Sequence, residues 1–272
     1  VKRKALYTVA ACGVFLLFLA AALDTRLRMV TYEISTEKLE QEIRLAVLAD
    51  LHSCAYGEDQ RELLDAVKAQ SPDAVLLAGD IVDDMLPEEN AWTAISALAA
   101  DYPCFYVTGN HEWWAGETER ICRTMEQYGV IPLRGASMCF STANGQVIRI
   151  GGVDDPESGA LDAQLAQVGE TLDENMFTIL MAHRPEGIET YRQYAFDLIV
   201  SGHAHGGQWR IPVFLNGLYA PGQGFFPTYA GGRYDMNDTT LVVSRGLARE
   251  STKVPRIFNR PELVLIQLTP IS

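Results

Sequence analysis

Leu45-Ala46-Val47-Leu48-Ala49-Asp50-Leu51-His52 decides how this chain is read. An unbroken apolar run ends on a carboxylate, and a histidine follows two positions later. A run this short, bounded by polar residues, suits a strand buried on both faces. Residues two apart at the end of a strand point to the same side, so Asp50 and His52 can reach one ion. The pattern recurs. Residues 74–78 run into Gly79-Asp80, and 104–108 run into Gly109-Asn110-His111-Glu112. Residues 177–181 lead to His183-Arg184-Pro185, and 196–200 lead to Gly202-His203-Ala204-His205.

Helical patterns separate these runs. Residues 58–68 carry Leu63, Leu64 and Val67 on one face. Residues 89–100 and 117–128 read as helices, and 159–172 carries a weaker helical pattern. Further strands are expected at 147–150, 240–244 and 263–267. Strands alternating with helices predict an α/β fold with a largely parallel region. In open α/β sheets, ligands bind beyond the carboxyl ends of the strands. The polarity of loops explains one or two such placements, but not five strands ending in metal-ligand residue types.

Histidine is the commonest metal ligand and the usual acid or base near neutral pH. All 5 histidines of the chain lie in these motifs. Asp80 can bridge two ions through its two oxygens, and Asn110 offers a neutral amide oxygen.

The ordered set Asp50-Leu51-His52, Gly79-Asp80-Ile81-Val82-Asp83, Gly109-Asn110-His111-Glu112, His183 and Gly202-His203-Ala204-His205 resembles the calcineurin-like metallophosphoesterase superfamily. The resemblance implies a four-layer α/β/β/α sandwich with two divalent metal ions, manganese, iron or zinc. It implies that Asp50, His52, Asp80 and His205 hold the first ion. Asp80, Asn110, His183 and His203 would hold the second, with Asp80 shared. His111 would face the phosphate as proton donor or electrostatic stabiliser, and Asp83 and Glu112 would orient ligands. Two divalent ions bring four positive charges, of which Asp50 and Asp80 neutralise two. The positive remainder suits a phosphate diester, and paired ions roughly 3.5–4 Å apart can activate water and clamp phosphoryl oxygens.

The likeness extends to Gly231-Gly232-Arg233-Tyr234, Ser244-Arg245-Gly246-Leu247 and Arg260-Pro261-Glu262. These resemble the membrane-anchored bacterial branch, which includes phosphodiesterases and proteins similar to UDP-2,3-diacylglucosamine hydrolase. The implied activity is hydrolysis of a phosphodiester or pyrophosphate bond in a membrane-associated or cell-envelope substrate by a metal-activated hydroxide. A phosphomonoesterase uses the same ions. A non-catalytic metal-binding scaffold is the reading from another class, although a scaffold has no need of a complete ligand set. Arg184 and Arg245 are candidates for holding the phosphate, as are Arg249 and Arg256; surface ion pairs explain all four equally well. The Gly/Pro-rich segment 209–234 carries seven aromatic residues. Either it shapes the substrate pocket and contacts lipid, or its aromatics pack it onto the domain.

Formal net charge is -13, which argues against a nucleic-acid partner. It does not exclude an anionic substrate once metals reverse the local sign. No motif points to a protein partner. The 5 cysteines show no zinc spacing and read as buried thiols, Cys12 in the apolar leader apart. Cys54, two residues after His52, is expected to pack rather than ligate.

Lys2-Arg3-Lys4 precedes an uncharged apolar run over 5–23. Such a run predicts one transmembrane helix, with residues 1–28 as a membrane anchor and 29–272 as the catalytic domain. The basic start predicts a single-pass protein with its domain outside the cytoplasmic membrane. A signal peptide, cleaved near Ala20-Ala21-Ala22 to release a secreted enzyme, is the alternative.

Overall fold

Alternate residues of the apolar runs face two different cores. Leu45, Val47 and Ala49 join one buried cluster with Leu76, Ala78, Phe105 and Val107. Ala46, Leu48, Val75, Leu77 and Tyr106 join another. The period of two therefore gives each strand two apolar faces, and both must be covered.

The computed structural model describes residues 2–249 and 254–271; Val1 and Ser272, the outer ends of the two expected segments, lie outside the described residues. In chain order, α1 (Lys2–Ala22) leads to β1 (Arg28–Thr36), β2 (Ile43–Leu48), α2 (Arg61–Gln70), β3 (Ala74–Ala78), α3 (Glu89–Asp101) and β4 (Cys104–Val107). Then come α4 (Asn110–Trp114), α5 (Thr118–Gln127), β5 (Ile131–Pro132), β6 (Ser137–Ser141), β7 (Val147–Gly152) and α6 (Leu161–Gly169). The chain continues through β8 (Thr178–Met181), α7 (Ile188–Tyr191), β9 (Leu198–Ser201), β10 (Tyr219–Ala220), β11 (Gly224–Phe225), β12 (Gly232–Asp235), β13 (Thr240–Val243) and β14 (Glu262–Pro270).

Two mixed six-stranded sheets result, ordered β1-β14-β2-β3-β4-β5 and β12-β13-β9-β8-β7-β6. Strands β2 to β5 run parallel, as do β7, β8, β9 and β13. The inner cluster draws Leu45 and Val47 from the first sheet and Ile148, Ile150, Ile179, Met181 and Val200 from the second, so the sheets pack face to face. Leu63 and Val67 of α2, Ile95 and Leu98 of α3 and Ile121 of α5 cover the outer face of the first sheet. Leu165 and Val168 of α6, with Ile188 and Tyr191 of α7, cover the second. The layers are helix, sheet, sheet, helix, with the parallel strand ends of both sheets meeting at one edge.

Three differences from expectation have physical causes. Strand β1 pairs in parallel with β14 over nine residues, from Arg28↔Glu262 to Thr36↔Pro270. It lies at the sheet edge and alternates exposed and half-buried residues, so no apolar run announced it. Cys54, Cys104 and Cys122 are buried, but Cys139 sits exposed on edge strand β6. The expected transmembrane helix is not met: among the described residues no helix is long and apolar enough to cross a membrane. Helix α1 forms nonetheless, and Leu6, Tyr7, Val9, Val14, Phe15, Leu16 and Leu17 stand exposed on it.

Candidate active site

Three of the parallel strands, β2, β3 and β9, deliver their candidate ligands through left-handed backbone. Asp50, His52, Asp80, His203 and His205 all hold left-handed backbone, with φ between 46° and 65°. Such conformations cost roughly 1–3 kcal/mol each and persist only where surroundings enforce them. The cost is spent in turning five side chains toward one point. Gly109 is needed for the approach: a Cβ there would strike the Asp80 carboxylate.

Two clusters form around Asp80. Asp50, His52 and His205 make one, and Asp80, His183 and His203 the other, with ligand atoms within 4.8 Å in each. Asp80 Oδ2 lies 3.1 Å from His183 Nε2 and 3.7 Å from His52 Nε2, and so faces both. Asn110 is buried in the same place, at the start of α4. His52 Nε2, Asp80 Oδ2, Asn110 Oδ1, His183 Nε2, His203 Nε2 and His205 Nδ1 are all buried without a hydrogen-bond partner. Buried polar atoms are normally paired, because an unpaired one costs free energy. Six orphans converging from five strand ends have the chemistry of a donor set for a two-metal centre.

Neighbouring groups set the tautomers. His52 Nδ1 donates to Asp83 Oδ1 at 2.8 Å, and His183 Nδ1 donates to the Ala78 carbonyl at 2.8 Å. Each leaves an Nε2 lone pair for a cation. Burial holds His203 and His205 well below the usual histidine range, which keeps them neutral, as ligands must be. Burial opposes charge on His183 too, but Asp80 and Asp50 outweigh it and raise it to about 10. The paired carboxylates thus draw positive charge to this point. Both Asp50 oxygens accept from the His203 backbone N–H, at 2.9 and 3.1 Å.

Glu112 acts on backbone. Fully buried, it accepts from the N–H groups of Asp80, Ile81, Val82 and Gly109, at 2.8–3.1 Å. It clamps the loop that carries Asp80 onto the start of α4. Burial, with Asp80 adding to it, pushes its carboxyl up to about 7.

His111 is only partly buried, and its ring packs edge-on against His52 with centroids 4.3 Å apart. Its Nδ1 donates to Asp84 Oδ1 at 2.6 Å, while Asp83 Oδ1 lies 3.5 Å away. The backbone N–H of His111 donates to Asp80 Oδ1 at 2.9 Å. With Nδ1 committed to a carboxylate, Nε2 is the nitrogen left for substrate.

The sequence profile of the calcineurin-like phosphoesterases matches residues 43–207, from β2 through the last two histidines. The chain belongs to that family. As a metallophosphoesterase it is a metal-dependent phosphoric ester hydrolase. It is 29% identical to the uncharacterized protein YpbG of Bacillus subtilis (strain 168), over 98% of this chain and 97% of that one. It is 28% identical to phosphodiesterase YaeI of Escherichia coli (strain K12), over 83% of this chain and 82% of that one. The fold is shared with TT1561 of Thermus thermophilus, at a TM-score of 0.52 and 12% identity over 76% of this chain and 91% of that one.

The arginines of this metallophosphoesterase divide. Arg184 donates to Asp155 at 2.8 and 2.9 Å and to Glu157 at 3.1 Å, so two carboxylates hold it beside His183. Arg245 faces Glu262 at 3.4 Å and packs over Gly231, and its described contacts include none of the seven ligands. Arg249 lies over the Tyr56 ring, and buried Arg256 donates to the Arg245 and Gly246 carbonyls. The Cys54 sulfur accepts from the Arg249 backbone N–H, which fits packing. Sequence reasoning missed two groups. One is Asp84. The other is Glu186, whose Oε1 is 3.7 Å from His203 Nε2 and whose Oε2 is buried without a partner. Burial raises its pKa. Each follows a motif by one or three residues and looks like an ordinary loop carboxylate in sequence.

Proposed function

We propose that the protein uses two divalent metal ions to hydrolyse a phosphodiester or pyrophosphate bond in a membrane-associated or cell-envelope substrate. The observation that carries this reading is the shared position of Asp80. Its unpartnered Oδ2 faces ligand histidines of both clusters. Asp50, His52 and His205 would hold the first ion with Asp80. Asn110, His183 and His203 would hold the second. When bound, such a pair supplies an activated water and Lewis acidity at the phosphoryl oxygens.

The chain's own groups do the rest. His111 reaches over the cluster with Nε2 free, so it can stabilise a phosphoryl oxygen or protonate the leaving group. Asp84 fixes the ring and its tautomer. The acidic groups at the mouth favour a diester: Glu186 beside His203 and Asp84 beside His111 disfavour the second negative charge of a monoester. The name of the YaeI relative, a phosphodiesterase, points the same way. The sequence resemblance to proteins similar to UDP-2,3-diacylglucosamine hydrolase motivates a pyrophosphate as the other scissile bond. The exposed apolar side chains of α1 support contact with lipid.

The test is a manganese-loaded assay on bis(p-nitrophenyl) phosphate and p-nitrophenyl phosphate. The diester should be the better substrate. His111→Ala should lower kcat by roughly 10²–10⁴-fold, the usual worth of a positioned proton donor, with both metals retained by elemental analysis. Asp80→Ala should lose metal as well as activity. Two bound metals with neither ester hydrolysed would favour the scaffold reading.

A further inference from the structure

Most large apolar side chains left exposed on the folded domain belong to one segment. Ile211, Val213, Phe214, Phe225 and Phe226 project from 209–226, with Val213 fully exposed and Phe214 87% exposed. The domain's own core accounts for none of them. Val213 and Phe226 also hold left-handed backbone, at φ 74° and 58°. For a β-branched residue this is a strained conformation, and here no packing compensates it.

The segment lies between two other features. On one side it frames the metal centre. Leu218 N–H donates to the Gly207 carbonyl, two residues beyond His205, and Phe226 N–H donates to the Leu218 carbonyl. Gly222 packs directly on Glu186, which lies beside His203. On the other side it is tied to α1. Trp209 bridges Ile257, and its indole N–H donates to the Pro255 carbonyl at 3.0 Å. Phe258 N–H donates to the Ala22 carbonyl, and the Phe258 ring packs edge-on against Phe18 at 5.3 Å. Val213 is four residues from Trp209, so the tip lies within about 14 Å of the 255–258 segment that seats α1. Trp114, 57% exposed, adds apolar surface against His111.

We propose that Ile211–Val213–Phe214 and Phe225–Phe226 form a membrane-contact tip that dips into a phospholipid surface beside α1. The metal centre then opens against the headgroup layer. This rests on the membrane-associated reading above and deepens it. Continuity with α1 favours lipid over a protein partner. Beyond Lys4 that helix carries no charge, and it packs on the same 255–258 segment that holds Trp209. Isolated protruding side chains also suit insertion better than a flat protein interface, which needs complementary packing.

The experiment uses the full chain with Cys12→Ser and Cys139→Ser, the two exposed cysteines replaced. Val213→Cys then carries a polarity-sensitive fluorophore, and phosphatidylcholine vesicles are the probe. The expected result is co-sedimentation with vesicles and a blue shift of the label at 213. A Phe214→Asp/Phe226→Asp variant should bind vesicles at least tenfold more weakly. It should still hydrolyse soluble bis(p-nitrophenyl) phosphate at the parent rate, which shows that it folds. Co-sedimentation with an unshifted label and unchanged binding by the variant would overturn the tip while leaving the α1 reading standing. No co-sedimentation at all would overturn both. A blue shift without vesicles that grows with protein concentration would assign the tip to a second copy of the chain and overturn the lipid reading.

Discussion

At the residue scale, Glu186 carries the proposed preference for a diester. Glu186 stands 3.7 Å from a ligand nitrogen with one oxygen buried and unpartnered. Glu186→Gln removes its charge and keeps its shape. The ratio of kcat/KM for monoester over diester should rise on the order of tenfold, the effect of one charge about 10 Å away at an effective dielectric near 20. An unchanged ratio would remove Glu186 from specificity. The candidate ligands that the structure gathers were legible in sequence, because metal chemistry restricts both residue type and spacing: Asp50 with His52, and His203 with His205, stand two apart. Asp84 and Glu186 were not legible. An acidic residue next to a motif is usually solvated, and only side-chain direction shows that one grips His111 and the other faces His203.

At the scale of elements, Glu112 ties the loop from Gly79 to Asp83 to the start of α4. Four backbone N–H groups converge on Glu112, and removing it leaves them buried without acceptors. Glu112→Ala should therefore destabilise by about 3 kcal/mol or more, read as a lower urea midpoint, and should weaken metal binding because Asp80 loses its fixed backbone. Full metal affinity in a destabilised Glu112→Ala would separate the clamp from the centre. The strands that carry ligands were readable because burial on both faces makes them unbroken apolar runs. Helix α4 was not, since five residues give no periodicity, and its start at Asn110 reads equally well as a loop. Edge strand β1 was hidden by its half-exposed alternation.

At the scale of the whole molecule, the metal centre is also a joint. Its ligands come from β2, β3 and β4 of one sheet and from β8 and β9 of the other. Ions bound there would tie the two sheets together. Ligand at a thousandfold its dissociation constant stabilises by roughly 4 kcal/mol, so chelation should lower Tm on the order of 10 °C, and manganese should restore it. A scan indifferent to chelator would contradict bound metal. The α/β class followed from alternating strands and helices, and the four layers from the family resemblance. The expected membrane span did not follow in the same way: among the described residues no helix is long and apolar enough to cross a membrane. The parallel pairing of β1 with β14 has a mechanical consequence. Five residues separate α1 from β1, and Arg28 pairs with Glu262 at the matching end of its neighbour. A pull on α1 along the strand axis loads the whole nine-residue ladder in shear, so its hydrogen bonds resist together rather than unzipping singly. A domain dragged by that helix through a moving lipid surface would transmit the force into its sheet without opening its edge.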